Sequence, residues 1–380
     1  MHDDATTGTT PTPEYLTPVE ALAHAITSAA GGPAFGPNPR VGAVVLAPGE
    51  GDDPRRVLAT GIHLGAGTPH AEQAALTHAA DAGADVTGAS VFVSLEPCNH
   101  QGRTGPCSEA LLAAGVAAVT YAVPDPSTVA AGGGARLADA GVTVVGPTED
   151  GDGPGHELVR AWLHSVTTGR PFVTLKMATT LDGRVAAADG TSRWVTSDAA
   201  RRHAHARRAE VDAILVGTGT VLADDPALTA RTEPMRLLPD GTSVVHQPLR
   251  VVLGRTEIPR EARLRREPGG RIVHLRTHDV HEALVQLAAL EVRHVLVEGG
   301  PRVAAQFLRA GLVDEVHAYV APVILGAGRG AVADLGITSI SQALRLEPVS
   351  VEVLGPDVLV VSRPRRAALD ADATTLTKEH

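Results

Sequence analysis

Pro69-His70-Ala71-Glu72 opens the stretch that decides the fold. The chain then runs through a helix-like segment and an apolar strand to Pro97-Cys98, and closes with Asn99-His100-Gln101-Gly102-Arg103-Thr104-Gly105-Pro106-Cys107. Cys98 and Cys107 are the only cysteines in 380 residues, and both follow the His-x-Glu. Thiolate and imidazole suit zinc, and three protein ligands (His70, Cys98 and Cys107) leave the fourth tetrahedral position to water. Glu72 is not needed as a ligand and is placed to shuttle protons. Taken separately, two cysteines also fit a disulfide or unrelated buried thiols. The order His, Glu, Pro-Cys, Cys, with no spare cysteine, favours a catalytic zinc site.

That order is the signature of zinc deaminases. Most nucleoside and nucleic-acid deaminases carry Cys-x-x-Cys, whereas eight residues separate the cysteines here. Leu95-Glu96-Pro97-Cys98, His100 and Gly102-Arg103-Thr104 resemble the deaminase half of the bifunctional riboflavin-biosynthesis deaminase/reductase family. The chain departs from that pattern at Gly105, where the family usually has Pro. It departs again at Asp125-Pro126-Ser127, where the family has Asp-Pro-Asn-Pro, so a contact made by that Asn has no counterpart. The resemblance implies substrate contacts at Asn38, within Asn38-Pro39-Arg40-Val41-Gly42-Ala43-Val44, and at His63 and Arg103. Without it, Asn38 reads as a turn residue and His63 as a solvated loop histidine.

Length suggests two or three domains. Hydrophobic residues make up 43%, enough for buried cores, but aromatics are only 2%, so Ala, Val and Leu must fill them. The formal net charge of −10 argues against a broad nucleic-acid footprint. No apolar run is long enough for a membrane span, and Met1-His2-Asp3-Asp4 does not begin a secretory signal. Two cysteines assigned to metal fit a reducing cytoplasm.

Residues 1–16, rich in Thr, Pro and Asp, read as a disordered tail. Thr17, Pro18 and Glu20 predict a capped helix. Strands are expected at Val41–Leu46, Val57–Gly61, Ala89–Leu95, Val116–Val123 and Val142–Val145. Helices are expected over about 71–83, 107–114 and 132–140, giving an α/β/α sandwich over 17–146. Helix N-termini at His70 and Cys98 are expected to bring the ligands together. Residues 147–170 read as a linker and connecting helix, 171–365 as a second α/β domain, and 366–380 as a second disordered tail.

In the second domain, Ala213–Val216 runs into Gly217-Thr218-Gly219-Thr220, and His294–Glu298 into Gly299-Gly300-Pro301. Such helix starts can bind phosphate, but each alone is more often an ordinary turn, and neither is a dinucleotide fingerprint. Lys176–Gly183, Ser192–Thr196, Gly219–Thr229 and Glu298–Pro301 resemble blocks of the family's reductase half, which has a dihydrofolate-reductase-like fold. The resemblance implies NADPH contacts at Ala178, Trp194, Thr220 and Asp224, and at Gly300, Pro301, Arg302, Val303, Ala304, Ala305 and Gln306. It implies substrate contacts at Ser192, Arg208, Leu228, Arg231 and Glu298, and a catalytic Lys176. Read alone, Trp194 could fill a core, Arg208 could be one charge on a solvated helix face, and Lys176 a strand-edge charge.

The implied activity is zinc-dependent deamination of 2,5-diamino-6-ribosylamino-4(3H)-pyrimidinone 5′-phosphate, followed by NADPH-dependent reduction of the ribosyl chain to ribityl. The partner is a small phosphorylated pyrimidine, with no nucleic acid or membrane, and the family implies a homodimer or homotetramer. Two other readings stay open: a deaminase of another base, nucleoside or tRNA, and a zinc-stabilised regulatory protein without activity. The reductase-like second half opposes the first, and the intact His-x-Glu the second.

Overall fold

Thr17 starts the first helix as its sequence predicts. Its hydroxyl accepts the Glu20 N–H at 3.3 Å, and the Glu20 carboxylate reaches back to the Thr17 N–H at 2.8 Å. The computed structural model describes residues 14–100, 105–127, 130–149, 151–231, 236–237 and 243–365. These fall into two units, residues 1–168 and 169–380.

The first unit is a six-stranded sheet in the order β1-β3-β2-β4-β5-β6. Its strands are β1 (Tyr15–Leu16), β2 (Gly42–Leu46), β3 (Arg55–Ile62), β4 (Ser90–Leu95), β5 (Ala118–Val123) and β6 (Thr143–Val145). The β1-β3-β2-β4 pairings are antiparallel and β4-β5-β6 are parallel. Helices α1 (Pro18–Ala29), α2 (Ala71–Asp81), α3 (Cys107–Ala113), α4 (Gly133–Asp139) and α5 (Pro154–Thr168) pack on it. Strands β2 and β4 are buried throughout, as continuous apolar runs should be. Glycine lets the helices come this close. A Cβ on Gly42 would lie 2.1 Å from the Ala25 carbonyl oxygen of α1, and one on Gly61 2.1 Å from that of Ala71 in α2.

Two boundaries differ from expectation. The tail expected over 1–16 stops short of Tyr15, because β1 pairs with Arg55 and Arg56 and Leu16 packs against the cluster of Ala21, Ala25, Val44, Leu46 and Phe92; residues 1–13 and the tail expected at 366–380 lie outside the described residues. The helix expected as a connection lays Leu158, Val159, Trp162 and Leu163 on the first unit's core. Its start is fixed by Glu149, whose carboxylate accepts the Gly155 and His156 N–H groups at 3.0 Å each.

The second unit carries an eight-stranded sheet in the order β13-β12-β9-β14-β7-β15-β18-β17. In chain order its elements are β7 (Phe172–Thr180), β8 (Arg184–Ala186), α6 (Asp198–Arg208), β9 (Ala213–Gly217), α7 (Thr218–Asp224), β10 (Arg236–Leu237), β11 (Ser243–Val244), β12 (Leu249–Leu253) and α8 (Arg263–Arg266). There follow β13 (Ile272–Leu275), α9 (Val280–Ala288), β14 (His294–Val297), α10 (Pro301–Arg309), β15 (Glu315–Ala321), β16 (Arg329–Gly330), β17 (Leu346–Leu354) and β18 (Asp357–Pro364). Six strands from β13 to β15 run parallel, and β18 and β17 return antiparallel. Alternation along β9 sorts the core. Leu215 joins Ala283, Leu284, Val303 and Phe307 of α9 and α10 on one face, while Ile214 and Val216 join Val221 and Leu264 of α7 and α8 on the other. Among the described residues no helix is long and apolar enough to cross a membrane.

Candidate zinc centre and reductase site

His70 occupies the position just before α2, with an extended backbone and no capping hydrogen bond from its side chain. Its imidazole is therefore free for other work. Cys107 is the first residue of α3. Cys98, expected at a helix N-terminus, lies instead on the loop that leaves β4, because Pro97 and the backbone bonds Ser108 N–H to Cys98 O (3.2 Å) and Asn99 N–H to Ala130 O (2.8 Å) hold that segment as a loop. The convergence survives this correction. His70 Nδ1 lies 3.5 Å from Cys98 Sγ and 3.3 Å from Cys107 Sγ, and the three ligand atoms all fall within 4.8 Å of one another. A tetrahedral zinc with ordinary Zn–N and Zn–S bonds separates an N and an S ligand by about 3.6 Å. The cysteines are free, not a disulfide. The donor set and its spacing fit Zn2+.

Glu72, on the first turn of α2, is 3% exposed beside Cys107. Burial pushes its carboxyl up to about 7. The hydrogen bond that Cys107 gives to Cys98 draws the Cys98 thiol down and, with burial, pushes Cys107 up. The site thus holds a carboxyl that titrates near neutrality beside a thiol drawn toward its ionised form.

His63 is buried against this centre, not solvated: its ring stands edge-on to His70 with centroids 5.3 Å apart. Its Nδ1 faces the Pro69 carbonyl at 2.9 Å, so Nε2 accepts from Asn38 Nδ2 at 3.0 Å. Burial lowers its pKa and keeps the ring neutral. Asn38, His63, His70 and Glu72 therefore line one site. Arg103 lies outside the described residues. At the two departures from the family pattern, the Gly105 carbonyl accepts from Gln73 Nε2 at 3.0 Å, and the Ser127 hydroxyl accepts the Ala130 N–H at 3.2 Å.

Sequence reading missed Glu96. Its Oε1 accepts the Gly132 and Gly134 N–H groups, both at 3.1 Å, and Oε2 accepts the Asp125 N–H at 3.2 Å. A carboxylate at the end of an all-buried strand, before Pro-Cys, was the available signal.

In the second unit, Glu298 follows β14 and meets two cations. Arg208 grips it through Nε (2.6 Å) and Nη2 (2.8 Å), and Lys176 Nζ stands 3.7 Å away. Burial alone would raise the Glu298 carboxyl, but Arg208 and Lys176 bring it down to about 2. Arg208 is therefore no solvated-face charge; its side chain is 16% exposed. Lys176 sits on an interior strand, not an edge. Trp194 is no core filler: it is 69% exposed, with the Arg201 guanidinium 4.4 Å above its ring.

The loop from Asp225 to Arg231 is pinned on several sides. Asp225 and Leu228 have left-handed φ values of 42° and 53°. Gln247 accepts the Ala230 N–H and donates to its carbonyl, both at 3.0 Å. The buried Arg250 Nη1 reaches Ala227 O, and Arg208 Nη1 gives 3.1 Å to Thr229 O. Leu228 is buried and Arg231 exposed at the loop's end; Ser192 is half-buried between β8 and α6.

The glycines divide by use. A Cβ on Gly217 or Gly299 would come within 2.8 Å or 2.6 Å of Val303, so both serve helix packing. Gly219 is open, and a Cβ on Gly300 would only touch Thr220 Oγ1 at 3.6 Å. Val303, Ala304 and Ala305 are buried, so their side chains serve the core. The Gly300 and Arg302 amides have no acceptor among the described residues. Two open helix starts side by side fit a phosphate-bearing cofactor such as NADPH, with Ala178 on the neighbouring β7 and the Asp224 carbonyl accepting from Arg193 Nη2 at 2.9 Å.

Comparison with known proteins matches both units. Residues 18–123 match the cytidine and deoxycytidylate deaminase zinc-binding region, and residues 171–360 the RibD C-terminal domain. The chain is 48% identical over 327 residues to the riboflavin biosynthesis protein RibD of Mycobacterium tuberculosis, covering 85% of this chain and 90% of that protein. It is 37% identical to the Escherichia coli protein of the same name, covering 85% and 92%. A solved diaminohydroxyphosphoribosylaminopyrimidine deaminase/5-amino-6-(5-phosphoribosylamino)uracil reductase from Thermotoga maritima superposes with a TM-score of 0.79 at 32% identity, covering 91% of this chain and 98% of that one. Acinetobacter baumannii RibD gives 0.79 at 34% identity, with the same coverage.

Proposed function

The chain belongs to the RibD family of bifunctional riboflavin biosynthesis enzymes, and from that premise we propose which of its residues perform the two reactions. The observation that carries the reading is the meeting of His70, Cys98 and Cys107 beside the buried Glu72, whose carboxyl titrates near 7 and so can both take and return a proton. The first unit deaminates 2,5-diamino-6-ribosylamino-4(3H)-pyrimidinone 5′-phosphate. Zinc held by the three ligands supplies Lewis acidity that lets water attack at neutral pH. Glu72 takes a proton from that water and delivers it to the ring nitrogen and the departing ammonia. Asn38, oriented by His63, hydrogen-bonds the pyrimidine edge.

The second unit reduces the ribosyl chain to ribityl. NADPH supplies the hydride. Gly300, Arg302 and Thr220 hold its phosphates, and Ala178, Trp194 and Asp224 flank it. Lys176 polarises the sugar carbon, and Glu298 orients the sugar hydroxyls. Ser192, the Leu228 backbone, Arg208 and Arg231 receive the 5′-phosphate, the arginines through guanidinium donors. The full chain incubated with the diaminopyrimidine substrate and NADPH should release ammonia and consume NADPH. Zinc removal should stop the first process and, when the deaminated intermediate is supplied, spare the second; ammonia release from zinc-free protein would defeat the assignment.

We place the enzyme in the cytoplasm as a homodimer or homotetramer. The edge strand β17, with Val349, Val351 and Val353 exposed, supports an assembly of copies. Sedimentation of a monomer at micromolar concentration would count against it.

A further inference from the structure

Helix α6 brings a second side chain to the carbonyl that Arg208 holds. His205 Nδ1 lies 3.2 Å from Thr229 O, Arg208 Nη1 lies 3.1 Å from the same oxygen, and the two side chains approach to 3.5 Å. With Nδ1 facing a carbonyl, Nδ1 must be the donor, so Nε2 carries the lone pair of the neutral ring. Nε2 has no partner among the described residues.

The groups that face this imidazole are Arg208 on its own helix, Arg231 at the end of the pinned loop, and Glu298 beyond β14. With Lys176, three cations gather here against one carboxylate, and that carboxylate is gripped by two of them. The surplus suits a phosphate monoester, which carries about −1.5 to −2 at neutral pH.

On the reading that Arg208 and Arg231 receive the substrate's phosphate, we infer that His205 is a further ligand of that phosphate and takes up a proton as the dianion binds. In the free protein, burial and the two guanidiniums hold the ring neutral. An arriving dianion cancels the arginines' field at Nε2. The proton gained there turns a lone pair that would repel a phosphate oxygen into a donor that binds it. The substrate's phosphate thus recruits a third cationic donor beside Arg208 and Arg231, and a dephosphorylated nucleoside has no means to do so.

His205→Gln tests this, because the amide can still donate to Thr229 O but cannot ionise. In steady-state reduction by the full-length enzyme, the variant should raise KM for the phosphorylated substrate about tenfold near pH 6.5, the loss typical of one hydrogen bond to a charged group. The change in kcat should stay within about twofold, and the KM gap should close above about pH 8.5, where histidine stays neutral. Calorimetry with ribose 5-phosphate, in buffers of different ionisation heat, should show greater proton uptake by the wild-type enzyme than by the variant. Equal KM and equal proton uptake would overturn the inference, as would a loss confined to kcat. Arg231→Ala separates the two levels: a raised KM there with none in His205→Gln refutes only the histidine's role. No change in either variant refutes the phosphate site itself.

Discussion

Replacing Glu72 by Gln keeps the shape of the side chain and removes its ability to carry a proton. Glu72 lies 3% exposed on α2 and is not among the three atoms that converge on the metal position. Zinc content should therefore stay at that of the wild type, while deamination falls about 10²–10⁴-fold, the usual contribution of a positioned acid–base group. The metal-free protein gives an independent reading. There the Glu72 carboxyl titrates near 7 in the folded chain against an ordinary 4.5. Between those values the folded state keeps a proton that the unfolded state has lost, so stability is fully present below about pH 4.5 and drains away as pH rises through 7. At 1.36 kcal/mol per unit the drain amounts to about 3 kcal/mol. Glu72→Gln removes that slope, so the metal-free variant should gain about 3 kcal/mol on the metal-free wild type between acid pH and pH 8. Denaturant unfolding at several pH values, with metal analysis and ammonia assays on the same preparations, reads all three quantities. Loss of zinc would make Glu72 a ligand; an unchanged pH slope would mean that its carboxyl is not held protonated by burial.

Arg208→Ala leaves Glu298 buried without its fork and should destabilise the protein by about 3–5 kcal/mol in urea unfolding at pH 7. The Glu298 carboxyl is held near 2, so the pair contributes fully above about pH 4.5 and is lost as pH falls through 2; the variant's deficit should shrink on acidification, and adding Glu298→Gln should recover part of it. Glu96→Gln turns an amide donor toward one of three backbone N–H groups, at Gly132, Gly134 or Asp125. It should cost about 1–3 kcal/mol of stability, seen as a lower urea midpoint. Gln247→Ala removes both hydrogen bonds to Ala230 and should raise the reductase KM with little change in kcat, measured by NADPH oxidation.

Local chemistry was legible in the sequence wherever one residue type has one use. Thr17 and Glu20 form the capping box their spacing demands, and β2 and β4 are buried along their whole length as unbroken apolar runs require. The zinc ligands were legible because soft donors are scarce in this chain. Long-range pairing was not. Nothing local to the Arg- and His-rich sequence of α6 says that Arg208 reaches across 90 residues to Glu298 and that His205 turns to Thr229; the same string on another helix would be a solvated face. Gly217 and Gly299 look like phosphate-loop glycines, yet what they accommodate is Val303. Cys98 is expected at a helix start, whereas of the two cysteines only Cys107 begins a helix.

A glutamate directly after a buried strand with a parallel neighbour occurs in both units: Glu96 after Leu95 of β4, and Glu298 after Val297 of β14. Both sit at the C-terminal end of the sheet, where crevices form in α/β folds, and the sequence offers no distinction between them. Their partners do. Among the described residues, all the hydrogen bonds to Glu96 come from backbone N–H groups, which cannot move without unfolding α4 or the Asp125 turn, so its charge is spent on shape. Glu298 is held by the side chains of Arg208 and Lys176, and Arg208 keeps N–H donors to spare once its fork and Thr229 are counted. A carboxylate held by side chains can exchange them for a ligand by a change of rotamer; one held by backbone amides cannot. This contrast supports the proposed roles of Glu298 in the second unit and of Glu72 in the first, where the carboxyl's partners are its own backbone N–H and Cys107.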